Sequence, residues 1–153
     1  MNIHSHTLTE GALRRSEPRS LADFDAELTG RSVLVIDDDA SLLDLMGIAL
    51  EDAGATVTRA ADGLAGIKAF AASPSDVVVT DILMPTKEGI ETLIEIKRLA
   101  PGVKIVAISG GSRVGAESFL VLARRLGADA TLSKPFRLAD LVESCAVLAE
   151  RAD

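Results

Sequence analysis

The 153-residue sequence has no tryptophan, no tyrosine and only four phenylalanines. That leaves little material for stacking on bases, on which single-strand nucleic-acid binders depend. Positive charge is also scarce: 16 Lys and Arg stand against 23 Asp and Glu, for a net charge of −7. A chain of that sign is a poor match for a phosphate backbone, so no nucleic-acid partner is expected. Cys145 is the only cysteine, which excludes an internal disulfide and fits a reducing, cytoplasmic setting. No apolar run approaches the roughly 20 residues that a membrane span needs. The opening stretch MNIHSHTLTEGALRRSEPRS lacks the continuous apolar segment of a secretory signal. His4 and His6 lie in this polar stretch and read as solvent residues rather than metal ligands.

What is present is ordinary for one globular domain: 48% of residues are hydrophobic and 25% charged. The chain divides near Gly30. Residues 1–30 read as an N-terminal extension, mostly disordered, with a possible short helix over 20–28 (SLADFDAEL). Ser20 and Asp23 there resemble a capping pair, and Leu21, Phe24 and Leu28 share a face. A frayed leader is the expectation, against a helix docked on the domain. From Arg31 onward two periods alternate. Strands are predicted over Ser32–Ile36, Thr56–Ala60, Val77–Thr80, Lys104–Ser109 and Ala130–Ser133. Helices are predicted over Ser41–Ala53, Gly63–Ala72, about Lys87–Leu99, about Gly115–Leu126 and Leu138–Arg151, with Gly and Pro signals at their ends. Five βα units in a row mean an α/β fold with a parallel sheet covered by helices on both faces. In the first helix, spacing places Leu42, Leu45, Met46, Ala49 and Leu50 toward the core and Leu43, Gly47 and Ile48 toward solvent.

In an open α/β sheet the ligand sits beyond the carboxyl ends of the strands. Those ends carry Asp37-Asp38-Asp39, Asp81, Ser109-Gly110-Gly111 and Lys134-Pro135. Two carboxylates within 4 Å repel by roughly 4 kcal/mol at a surface-like dielectric, so such a group invites a divalent cation. The ligands are hard oxygens with no His or Cys nearby in sequence, which favours Mg²⁺ over Zn²⁺. A lysine and a hydroxyl on neighbouring strand ends would complete a cradle for a phosphoryl group. Asp81 could then act as a nucleophile and form an aspartyl phosphate.

Taken in order, VLVIDDD, VVVTDILMPTKEG, IVAIS and LSKPF resemble the receiver domain of two-component response regulators, over residues 31–153. The resemblance implies a flavodoxin-like, doubly wound (βα)5 fold with strand order 2-1-3-4-5. It implies phosphorylation on Asp81, with Ser109 and Lys134 as the other catalytic residues. The Mg²⁺ ligands would be Asp37, Asp38, Asp81 and the backbone carbonyl of Leu83, with Asp38 binding directly and Asp37 largely through water. It also implies a cis Lys134–Pro135 peptide. The phosphodonor would be a histidine kinase or a histidine phosphotransfer protein, docked beside the first helix. The chain ends with the last receiver helix, which suggests a single-domain regulator that signals through protein contacts or relays the group onward.

Three departures from the family pattern stand out. Thr131 occupies a switch position that is aromatic in many receivers. The Ser109–Lys134 interval is a few residues long, with the extra length near GGSRVG. Leu83 and Gly111 stand where the path of the hydrolytic water is bordered, and neither side chain can orient a water, so slow dephosphorylation is expected. The rival reading is a haloacid-dehalogenase-type phosphatase, because Asp37, Asp39 and Ser41 imitate a D-x-D-x-S spacing. That reading needs a further acidic pair after the lysine, and Asp140 and Glu143 fall within a predicted helix. Asp39 reads more simply as the N-cap of the first helix.

Overall fold

The computed structural model describes residues 18–82, 88–110 and 116–151. Strands β1 (Ser32–Ile36), β2 (Thr56–Ala60), β3 (Val77–Asp81), β4 (Lys104–Gly110) and β5 (Ala130–Lys134) form one parallel sheet in the order β2-β1-β3-β4-β5. They alternate with α1 (Ala40–Asp52), α2 (Gly63–Ala72), α3 (Glu88–Leu99), α4 (Ala116–Arg125) and α5 (Leu138–Arg151). This is the flavodoxin-like order expected. The chain reverses its direction of winding between β1 and β3, and a crevice opens at such a point.

The central strands read as unbroken apolar runs because both faces of the sheet are covered. Successive side chains separate to the two sides. Val33, Val35, Val77, Val79, Val106 and Ile108 join one core with α1 and α5. Leu34, Ile36, Val78, Ile105 and Ala107 join a second core with Phe70, Leu93, Ile96 and Ala123. Three strands run one residue beyond the predicted ends, to Asp81, Gly110 and Lys134. Their backbones still pair, Asp81 with Ile108 and Gly110 with Lys134. An acid, a glycine or a lysine reads as a stop in the sequence, but the ladder is made by the backbone and continues through it.

The phase of α1 differs from the one its spacing suggested. Leu43 is buried in the core and Leu45 is 53% exposed, the reverse of the expectation, whereas Met46, Ala49 and Leu50 are buried and Ile48 is 46% exposed, as the spacing suggested. Seven of the nine residues from Leu42 to Leu50 are apolar, so periodicity alone fits more than one face. Gly47 is buried by Arg59 of β2, whose guanidinium lies where a Cβ would stand. Arg59 pairs with Glu51 at 2.6 Å and Asp44 at 3.5 Å on the same helix. These are partly exposed ion pairs of small worth, and the observed phase goes with the burial of Leu43, Met46, Ala49 and Leu50 in the core.

Residues 18–30 form a strap along α1 and α5, not a frayed leader. A single 3₁₀ turn spans Leu21–Phe24 rather than a helix over 20–28, and the Ser20 amide donates to Asp23 Oδ2 at 2.7 Å. Phe24 and Leu28 are fully buried in the core shared by α1 and α5. At one end Arg137, just before α5, donates to the carbonyl of Arg19, whose guanidinium lies 3.8 Å from the Phe24 ring centroid. At the other end the Leu28 amide donates to Ala53 O at 2.8 Å, past the end of α1. The rest of the predicted extension, residues 1–17, lies outside the described residues. No described helix is long and apolar enough to cross a membrane. Truncating a fully buried aromatic costs about 3–5 kcal/mol. Phe24→Ala should therefore lower the denaturant-unfolding free energy of the whole domain by about that amount. A loss under about 1 kcal/mol would show that the strap contributes little to the fold.

Candidate functional site

The site forms where β1, β3, β4 and β5 end together. Asp37 follows β1 and is held by its own turn: its Oδ1 accepts from the Asp39 amide at 2.9 Å, and its amide donates to Ala60 O at 3.1 Å. Asp81 is the last residue of β3 and is 4% exposed, while Asp37 is fully buried and Asp38 is exposed. One carboxylate oxygen from each of Asp37, Asp38 and Asp81 falls within 4.8 Å of the others. That is an all-oxygen donor set of the kind that holds a hard divalent cation, and among the described residues it is the only such group.

Lys134 closes the cluster from the end of β5. Its Nζ donates to Asp81 Oδ2 at 2.8 Å and to Asp37 Oδ2 at 3.2 Å. The strand order places β4 between β3 and β5, so the lysine reaches across the end of β4. Ser109 and Gly110 are the last two residues of β4 there. The Lys134–Pro135 peptide is cis, as the resemblance implies. Ser109 is fully buried, and its Oγ has no hydrogen-bond partner among the described residues. A buried hydroxyl left without a partner is costly, and at a strand end beside Asp81 it suits a ligand oxygen.

The charges act on one another. Burial pushes the Asp37 carboxyl above its ordinary range and the Asp81 charge adds to this, while the Asp39 amide and Lys134 oppose it. Burial alone would lower Lys134. The hydrogen bond and field of Asp81, and then those of Asp37, outweigh it and hold the ammonium above its ordinary range.

The sequence-predicted residues thus stand as follows. Asp37, Asp38, Asp81 and Lys134 come together, and Ser109 lies at the adjoining strand end. Leu83 and Gly111 lie outside the described residues. Asp39 is the N-cap of α1, accepting from the Leu42 amide at 3.2 Å, a role that removes it from a D-x-D arrangement. Asp140 and Glu143 lie in α5. Thr131 on β5 accepts from Arg124 Nε and Nη2 at 3.3 and 3.1 Å. Sequence reasoning missed an apolar groove of about 530 Å³ beside Lys134, lined by Leu42, Leu45, Pro135, Phe136 and Leu138 among others. The apolar pair flanking Arg137 was visible in the sequence, but the misjudged phase of α1 hid its partner wall.

The model of the response regulator receiver domain matches residues 33–146. The transcriptional regulatory protein PrrA of Mycobacterium tuberculosis is 32% identical over 128 residues, covering 84% of this chain and 54% of that protein. The chemotaxis protein CheY of Halobacterium salinarum is 28% identical over 114 residues, covering 74% of this chain and 92% of CheY. The chain spans about half the length of PrrA and of several other transcriptional regulators that it matches. Among solved structures, a CheY-like receiver domain from Methanospirillum hungatei superposes with a TM-score of 0.70 at 30% identity, covering 80% of this chain and 95% of that one.

Because folded Asp37 holds its proton more tightly than the unfolded chain does, its ionisation destabilises the cation-free fold. The contribution of its protonated form is present in acid and is lost as pH rises through the raised folded value. At neutral pH, Asp37→Asn should therefore raise the thermal midpoint of protein stripped of divalent ions. Mg²⁺ stabilises a binding fold by mass action, about 2.7 kcal/mol at 100 times the dissociation constant. It should raise the wild-type midpoint by more than that of Asp37→Asn. A lower cation-free midpoint in the variant, or an equal Mg²⁺ shift in both proteins, would contradict the geometry's reading.

Proposed function

The chain belongs to the response regulator receiver family, and on that premise we propose that Asp81 accepts a phosphoryl group from a histidine kinase or a histidine phosphotransfer protein. The observation that carries this reading is the Lys134 ammonium 2.8 Å from Asp81 Oδ2, inside a carboxylate cluster able to hold a cation. An Asp81 oxygen forms a bond to phosphorus as the P–N bond to the donor imidazole breaks, and the imidazole leaves with the electron pair and takes up a proton. Lys134 turns from the Asp81 carboxylate to the phosphoryl oxygens, and the Ser109 hydroxyl donates to one of them, ending its unpartnered state.

Asp37, Asp38 and Asp81 would hold Mg²⁺, with the Leu83 carbonyl as the further protein ligand. When bound, the ion neutralises charge on the phosphoryl oxygens. Asp37 already has both oxygens engaged, by the Asp39 amide and by Lys134, which supports a water-mediated role for it and a direct one for exposed Asp38. The donor's helix would lie in the groove between α1 and the β5–α5 connection, over Leu45 and Phe136. The phosphorylated domain would then act through protein contacts or pass the group on, in the cytoplasm.

Intact mass after incubation with acetyl phosphate and Mg²⁺ tests the reading: wild type gains one phosphoryl group, and folded Asp81→Asn gains none. Label that persists in Asp81→Asn and disappears in Asp37→Asn would favour the phosphatase-like alternative. Docking has its own test. Leu45→Glu should slow transfer from a histidine-phosphorylated donor at least tenfold while acetyl phosphate labels it at the wild-type rate. Leu43→Glu, a charge placed in the core, should impair both by unfolding the domain. Equal transfer rates in wild type and Leu45→Glu would move the docking face elsewhere.

A further inference from the structure

A second element fixes where Asp81 presents its carboxylate. The end of β3 is held on its β4 side by the ladder, with the Ile82 amide donating to Ile108 O at 2.9 Å. Against the same peptide lies the first turn of α3. Gly89 is buried there, and a Cβ built on it would overlap the carbonyl oxygen of Asp81 and the Cα of Ile82. The neighbours are backbone atoms, so no side-chain rotation can clear the space. Gly47 is different, because a Cβ there meets only the far end of the Arg59 side chain, which can swing away.

The order of the packing matters for the chemistry. Asp81 lies between the lysine that reaches across β4 and the acids that follow β1, and its Oδ2 is 2.8 Å from Lys134. To admit a methyl group at residue 89, either α3 must lift or the Asp81–Ile82 peptide must move by about 1 Å. Misplacement of a reacting group on that scale can cost on the order of 100-fold in rate. We propose that Gly89 is a positioning residue for phosphoryl transfer: the bare backbone of the first turn of α3 is a wedge that sets the Asp81 carboxylate against Lys134 and the cation site. This rests on Asp81 being the phosphoacceptor. The wedge itself is a property of the fold and is measurable without phosphorylation.

The test compares Gly89→Ala with Gly47→Ala, each assayed per folded molecule, in trimethylamine N-oxide if folding must be driven. Labelling by acetyl phosphate and the Mg²⁺ dissociation constant from calorimetry are the two readouts. Gly89→Ala should label 10- to 100-fold more slowly and bind Mg²⁺ several-fold more weakly, with Gly47→Ala within twofold of wild type on both. Adding Ile82→Ala to Gly89→Ala should restore neither, since the obstruction is backbone. Folded Gly89→Ala within twofold of wild type on both readouts would overturn the proposal, and so would rescue by Ile82→Ala. If wild type takes no label, the phosphoacceptor reading fails, and the Mg²⁺ constants alone decide the wedge.

Discussion

The contact on which this structure turns is the Lys134 ammonium shared between Asp81 and Asp37. Two carboxylates that are 5% or less exposed cannot sit beside a third without a counter-charge, because burial and mutual repulsion act in the same direction. The lysine supplies it from 53 residues beyond Asp81 and 97 beyond Asp37. No local sequence relation could bring these groups together. The order of the strands does, by stacking the carboxyl ends of β1, β3, β4 and β5 side by side. The pair is also exchangeable. A cation would compete with the lysine for the carboxylates, and, on the proposed function, a phosphoryl group on Asp81 would compete with the carboxylates for the lysine. Either arrival would redistribute charge that is already assembled around the hydroxyl, lysine and acids, which is the form of electrostatic help that needs least reorganisation.

The remainder of the fold packs around this end of the sheet. Alternate residues of β1, β3 and β4 fill two separate cores, so each strand end is gripped from both faces. On one face the strap of residues 18–30 adds Phe24 and Leu28 to the α1–α5 core and reaches Arg137, three residues past Lys134. On the other face Gly89 lets α3 press directly on the peptide that carries Asp81. The exposed apolar residues on α1, Leu45 and Ile48, are left over from this packing, and the groove that Leu45 helps to line opens beside the charged cluster.

Much of this was legible in the sequence, because the signals were redundant. Val77 to Val79 announce a strand covered on both faces, and an acid or lysine directly after an apolar run marks a strand end facing the ligand side. Asp37, Asp38, Asp81 and Lys134 were found that way. Where the signal was degenerate, the reading failed. Seven apolar residues within nine positions could not tell Leu43, which is buried, from Leu45, which is exposed. Nor did the leader's polarity reveal the strap, because two buried side chains, Phe24 and Leu28, anchor a segment whose other residues are exposed. Gly89 was visible only as one residue of a motif. That it touches the backbone of Asp81 is a fact of helix placement, not of composition.

The central claim is that the buried carboxylate of Asp37 is electrostatically coupled to Lys134 and, with Asp38 and Asp81, would hold a cation. Carboxyl ¹³C resonances followed through an acid titration test it most directly. In protein stripped of divalent ions, the Asp37 carboxyl should titrate above the ordinary aspartate range, and in saturating Mg²⁺ it should stay ionised through that range. Lys134→Met should move the cation-free Asp37 titration further upward, since the opposing ammonium is gone. An Asp37 carboxyl that titrates as an ordinary aspartate and ignores both Mg²⁺ and the loss of Lys134 would contradict the account.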